Sequence, residues 1–415
     1  MLTRFCLYGF FKNQQYFEPF FYLALLAQGL DFFQIGILFG AKALLVNLFE
    51  IPTGAIADSM GRRNSLIFSH VAYCVSFILF AVAGSLPFYL VGMLFYAIGE
   101  AFRSGTHKSV IFSWLKEQGR EQEKTQVYGV TRSWSKLGSA LCAVVAAIIV
   151  FITEAYVWLF WLSCLPILLN IYNFLGYPND QPKRSENAIG QKYAQVYQTL
   201  RTGLLNCARS RRLRGLLMEG MLFEGAYKST KDYVQPLILQ AALGLALLSA
   251  LNDIQRVAVY IGVVYAIIFL ISSLASRCSG LVLERLGGES RASNFLWGLD
   301  LLAYLFIGVG VLTGYFNVGI AGFLILTVLQ NIWRPILVSR IADGQDEQVL
   351  ATILSTESQT RSLFVAITAP ALGYVIDLLE NQNIALLPIA VLGIIVCLWG
   401  LLLARGSDVK PESLA

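Results

Sequence analysis

The stretch Gly54-Ala-Ile-Ala-Asp58-Ser-Met-Gly61-Arg62-Arg63 lies between two apolar blocks, at about 32–57 and 65–84, each close to the roughly 20 residues a helix needs to cross a bilayer. Gly54 and Gly61 allow a tight turn and close backbone approach, Asp58 stands four residues before Arg62 at ion-pair spacing, and Arg62 with Arg63 hold the turn on the cytoplasmic side. The stretch reads as a short internal loop joining two membrane helices. Outward from it, Leu66–Ala83, Leu137–Ile152, Val257–Leu274 and Ile384–Ala404 are further long apolar blocks. Of 415 residues, 56% are hydrophobic and 14% charged, with a mean hydropathy of +0.63. A soluble chain has about 45–50% and about 25%, so an ordinary soluble enzyme is excluded.

About 12 spans fit, at approximately 4–29, 32–57, 65–84, 88–114, 124–150, 154–176, 215–243, 255–281, 291–313, 316–341, 351–378 and 383–404. They leave no room for a second soluble domain. Lys12, Asn13, Gln14 and Gln15 interrupt the first block, so it reads as a retained helix rather than a signal peptide. Internal segments hold Arg62 and Arg63, then Lys116, Arg120 and Lys124, then eight basic residues between Lys183 and Arg214, then Arg285 and Arg291. External segments hold little beyond Arg256, which places both termini in the cytoplasm of a multi-pass protein of the cell membrane. The same rule accounts for the net charge of +5 without nucleic acid. Seven scattered cysteines, mostly within apolar blocks, suggest packing rather than disulfides or zinc.

The chain repeats itself at long range. Gly54 to Gly61 aligns with Gly280-Leu-Val-Leu-Glu284-Arg-Leu-Gly287, Glu100-Ala-Phe-Arg103 with Asn331-Ile-Trp-Arg334, Thr131-Arg132-Ser133 with Thr360-Arg361-Ser362, and Tyr16-Phe-Glu-Pro19 with Tyr233-Val-Gln-Pro236. Four matches in one order imply two parallel six-span halves, a symmetry that transporter folds use. The expected domains are 1–176, a linker at 177–214, 215–404 and a tail at 405–415. Within the linker, Ile189, Tyr193, Val196, Tyr197, Leu200 and Leu204 recur at helical spacing, as in a helix on the inner membrane surface.

The Gly54–Arg63 loop, the span count, the long central loop and the half repeat together resemble the major facilitator superfamily. That resemblance implies an all-α polytopic membrane protein with 12 transmembrane helices in two pseudo-symmetric six-helix bundles, rocking about a central cavity lined by spans one, four, seven and ten. In the second copy Gly288 and Glu289 replace the arginine pair. Span five has Gly138-Ser-Ala-Leu-Cys-Ala where drug antiporters of the superfamily carry a Gly-Pro-rich stretch, which counts against drug export.

An ionisable side chain at mid-bilayer costs at least about 2.5–3.5 kcal/mol on insertion scales, so each needs a partner, a wet cavity or a function. Span one has Gln14 and Glu18, and span two Lys42. Span four has Arg103 and His107, and span five Arg132 and Lys136, both pairs four apart and so on one helix face. Span seven has Glu224, Lys228, Lys231 and Asp232; span ten has Asn331 and Arg334; span eleven has Glu357 four before Arg361. The expected substrate-binding set is Gln14, Glu18, Arg103, His107, Lys228, Lys231, Asp232, Asn331 and Arg334, with Glu18 and Glu224 as proton carriers. The expected gate set is Gly54, Asp58, Gly61, Arg62, Arg63, Arg132, Glu284, Glu357 and Arg361. Arg103 and Arg334 occupy matched positions and could hold one anionic group from opposite halves, or could be braces paired with acids such as Glu100 or Glu357.

Cations outnumber acids in these spans, pointing to an anionic or zwitterionic cargo. No lysine follows a glycine, so no phosphate loop exists, and His70 and His107 have no ligand set at metal-binding spacing. The expected function is secondary active transport of a small molecule by a monomer in the lipid bilayer, with no cofactor, no enzymatic activity and no nucleic-acid partner. The alternatives are a drug or lipid-like exporter of the same fold and a transporter-like receptor.

Overall fold

In the computed structural model the described residues are 1–104, 106–178, 210–245, 248–275, 279–286, 288–343, 347–380 and 382–406. The amphipathic stretch expected at 189–204 and the tail after residue 406 lie outside them. Among the described residues there are sixteen α-helices and no strand. They are α1 (Leu2–Lys12), α2 (Phe21–Ala27), α3 (Phe32–Met60), α4 (Arg62–Val82), α5 (Leu86–Arg103), α6 (Thr106–Glu117), α7 (Lys124–Thr153) and α8 (Val157–Phe174). After the linker come α9 (Arg211–Thr230), α10 (Val234–Leu243), α11 (Asp253–Ala275), α12 (Ser279–Leu286), α13 (Glu289–Thr313), α14 (Phe316–Ala342), α15 (Glu347–Leu378) and α16 (Leu387–Gly406).

Among the described residues eight helical segments are long and apolar enough to cross a membrane, while Glu18–Ala27 and Leu387–Leu403 are shorter apolar helices. Spans one, four and seven are each cut in two. Polar residues and prolines explain the first and third cuts: α1 ends at Lys12 before the 3-10 turn Glu18–Phe20, which carries Pro19 near its start, and α9 gives way to the 3-10 turn Lys231–Tyr233 ahead of Pro236. The cut in span four falls at Ser104, whose ψ of 125° leaves the helical region. Large apolar side chains face outward along the helices, Ile152 at 72% and Leu402 at 68% exposure among them, a surface suited to lipid.

The expected loop around Gly54 is almost entirely helix. Residues 54–60 continue α3, because nothing between Gly54 and Met60 breaks a helix, and the turn shrinks to Gly61 at φ 84°. The second copy is built alike, with α12 ending at Leu286 and Gly288 at φ 142° leading into α13.

The chain forms two compact units. The first contains residues 1–30, 41–189 and 242–270, and the second 31–40, 190–241 and 271–415. Aromatic side chains fill the core of the first, where Phe17 packs on Phe77, Phe160 and Phe21 at ring distances of 4.9, 5.3 and 5.2 Å. In the second, Phe223 stacks on Trp333 at 4.2 Å and meets Trp297 edge-on at 4.9 Å. Asp377 in the second unit accepts from the backbone N–H groups of Phe32 and Phe33 at 3.0 and 2.7 Å, satisfying orphan donors at the start of α3.

Candidate functional site

In the first unit α1 and α7 pack backbone to backbone. A Cβ at Gly9 would lie 2.9 Å from the Thr131 carbonyl oxygen, and one at Gly138 would lie 2.6 Å from that of Phe10. Asn13 Nδ2 donates to the Ser135 carbonyl at 3.0 Å and Gln14 Nε2 to the Gly138 carbonyl at 2.9 Å, tying the seam across its length. Beside this seam opens a cavity of about 420 Å³ whose lining includes Lys12 from α1, Arg103, His107 and Lys108 near the cut in span four, and Arg132 and Lys136 from α7. Five of its lining side chains are Lys or Arg, and no carboxylate lines it. Tyr8, Tyr128 and the hydroxyls of Thr131, Ser135 and Ser139 complete the wall.

These cations differ in how they are compensated. Arg103 forms an ion pair with Glu100 and donates from Nε to the Tyr73 hydroxyl at 3.2 Å, which itself donates to Glu100 at 2.5 Å. The Lys108 ammonium lies 5.4 and 5.6 Å from the ring centres of Phe112 and Tyr128. Lys12, Arg132 and Lys136 have no ion-pair or hydrogen-bond partner among the described residues. His107 stacks on Tyr8 at 3.6 Å and its Nε2 lies 3.0 Å from the Tyr177 hydroxyl, so most of its ring is committed to packing.

The second unit holds a buried cluster whose charges answer one another. Arg334 Nη1 donates to Glu224 and Glu357, both at 2.8 Å, while Arg361 Nη1 donates to the same two acids at 2.6 and 2.7 Å. Two guanidiniums and two carboxylates thus balance one another in charge, with Glu357 fully buried and the Glu224 side chain 4% exposed. A second buried pair, Arg340 with Glu219 at 2.6 Å, is reinforced by Ser293.

Comparison with known proteins decides the family. The sequence profile of the Major Facilitator Superfamily matches residues 1–356 of the chain. The chain belongs to that superfamily. Among curated superfamily-like relatives it is 28% identical over 173 residues to the probable sulfoacetate transporter SauU of Cupriavidus necator, covering 40% of this chain and 38% of that one. It is 26% identical over 93 residues to the uncharacterised MFS-type transporter YxaM of Bacillus subtilis, covering 22% of this chain and 23% of that one. The matches thus span less than two fifths of either relative's length. Among solved structures, the nucleoside transporter NupG superposes with a TM-score of 0.70 at 12% identity over 98% of this chain and 96% of that one. The D-xylose-proton symporter superposes with a TM-score of 0.67 at 14% identity over 96% and 95%. The chain is accordingly a multi-pass membrane protein of this superfamily, whose members bind small molecules within the membrane.

Placed on this superfamily member, the remaining candidates fall into several environments. Gln14 is buried in the α1–α7 seam, and Glu18 is exposed at the start of its 3-10 turn. Lys228 is exposed, Lys231 pairs with its neighbour Asp232 at 2.6 Å, and Asn331 donates to the Thr327 carbonyl one turn back at 2.8 Å. Arg62 donates to the Ser113 hydroxyl, Arg63 is half-buried, and Glu284 is exposed on α12. Gly54 lies within α3, and the Asp58 side chain is outside the described residues. Lys12, Lys108 and Lys136 were absent from the expected binding set. The signal for Lys12 was present as a polar interruption of an apolar span, but its proximity to Arg132 arises only from the packing of α1 on α7.

Proposed function

We propose that this chain is a secondary active transporter for a small organic anion, working by alternating access between two six-span halves of a twelve-span cell-membrane protein with cytoplasmic termini, as a monomer. One observation carries the reading: a cavity of about 420 Å³ lined by five cationic side chains and no carboxylate. An uncompensated cation within the membrane is costly, and a bound anion relieves that cost. The anion is assigned to Lys12, Arg132 and Lys136, because Arg103 already has Glu100 and Arg334 already has two acids. The likeness to a relative named as a sulfoacetate transporter agrees with an anionic cargo.

Coupling is assigned to Glu18. It is exposed, whereas Glu224 is held by two arginines. The test is uptake into proteoliposomes of labelled carboxylates, sulfonates, zwitterions and neutral sugars, with and without a pH gradient. Saturable uptake of anions is expected, driven by the gradient and reduced to exchange alone in Glu18→Gln. Uptake of sugars or cations with anions excluded contradicts the proposal.

A further inference from the structure

We propose that the ligand of the first unit's cavity carries two negative charges, held jointly by Lys12 of α1 and by Arg132 and Lys136 of α7. This rests on the anion-transport reading above and narrows it from any small anion to small organic dianions.

The first support is the count of unanswered charge. Of the five cations lining the cavity, Arg103 has Glu100 and Lys108 lies near two aromatic rings, leaving three with no ion-pair, hydrogen-bond or aromatic-ring partner among the described residues. Arg132 and Lys136 are four residues apart, where like charges on a helix destabilise each other. A monoanion balances one of the three; a dianion bridging α1 and α7 balances two.

The second is an internal control supplied by the repeat. Thr131-Arg132-Ser133 corresponds to Thr360-Arg361-Ser362, and four residues before Arg361 stands Glu357, which bonds it at 2.7 Å. Four residues before Arg132 stands Tyr128. The scaffold therefore accommodates an acid at this position in one half and omits it in the other. Nor does the first unit leave cations unpaired as a habit, since Arg120 pairs with Glu123 at 2.6 Å and Lys124 with Glu121 at 3.4 Å.

The third is the lack of competing donors. The hydroxyls of Thr131, Ser135 and Ser139 donate to the carbonyls of Tyr128, Thr131 and Ser135 at 2.8, 3.1 and 3.2 Å, and Asn13 Nδ2 donates to those of Gly9 and Ser135 at 2.9 and 3.0 Å. Apart from the Tyr128 hydroxyl, the ammonium and guanidinium groups are the main donors left to meet a ligand's oxygens. That arrangement suits charged oxygen clusters, and about 420 Å³ falls in the size range of small-molecule sites.

The experiment is calorimetry on the purified full-length chain with acetate and methanesulfonate as monoanions, succinate and sulfoacetate as dianions, and glycine betaine as a zwitterion. Each dianion is expected to bind at least about tenfold more tightly than its monoanionic counterpart, with a steeper loss of affinity as salt is raised. Arg132→Gln and Lys136→Gln should each bring the two classes to within about threefold, while Lys136→Arg keeps the gap. Equal binding of monoanions and dianions by the parent chain overturns the two-charge assignment and leaves the anion reading in place. Tighter binding of betaine than of any anion, or no binding of any anion, overturns both.

Discussion

The two charge centres of this superfamily member occupy repeat-related positions and are built to opposite ends. In the second unit, Arg334 and Arg361 each bond both Glu224 and Glu357, and three of the four side chains are almost wholly buried. In the first, Arg132 and Lys136 stand one turn apart on α7 beside a cavity that Lys12 and Arg103 also line, with no carboxylate in its wall. A low-dielectric setting strengthens whatever charge interaction is present and penalises whatever is missing. The closed cluster therefore ties α9, α14 and α15 together, while on the proposed reading the open one awaits a charge from outside.

The largest effect is expected from breaking the brace. Glu357→Gln leaves Arg334 and Arg361 sharing Glu224 alone, and losing one partner of a buried ion cluster costs about 3–5 kcal/mol. Thermal unfolding in detergent should show this loss, with part of it recovered in the double variant Glu357→Gln, Arg361→Gln. A stability close to the parent's in the single variant means the cluster is not a brace.

Next comes the seam that sets Lys12 against α7. Gly138→Val forces a side chain toward the Phe10 carbonyl, where even a Cβ would lie 2.6 Å away, and overpacking of this kind costs about 1–3 kcal/mol. Anion uptake should fall along with stability, because α1 and α7 carry the three unpaired cations. Normal uptake by a folded Gly138→Val protein places the binding groups elsewhere.

The smallest effect separates stability from function. Lys136→Gln removes a like-charge neighbour of Arg132, so it should leave stability unchanged or raise it by about 0.2–0.5 kcal/mol while weakening anion binding. A fall in both would make Lys136 part of the packing.

Much of this contrast is legible in the sequence. The ordered repeat, the spacing of Glu357 and Arg361 and the like-charge spacing of Arg132 and Lys136 are local patterns, and local patterns survive in a sequence. The participation of Glu224 in the cluster was not legible, because it reaches Arg334 across 110 positions and Arg361 across 137. Lys12 was hidden for the same reason, its role depending on Gly9 and Gly138 letting α1 approach α7. The loop expected between Gly54 and Arg63 is mostly helix instead, for a different cause. Two glycines suggest a turn, yet one positive φ at Gly61 is enough, and the residues before it extend α3.

The central claim is that the first unit binds an anion because it lacks the acid that the second unit supplies to itself. Tyr128→Glu tests it most directly, since it installs a carboxylate four residues before Arg132, as Glu357 stands before Arg361. The measurement is the initial rate of proteoliposome uptake for whichever anion the parent chain takes up fastest, alongside the unfolding midpoint. Uptake is predicted to fall at least about tenfold with no loss of stability, the new carboxylate competing for the same cations. Uptake at the parental rate in a folded Tyr128→Glu protein would contradict the account.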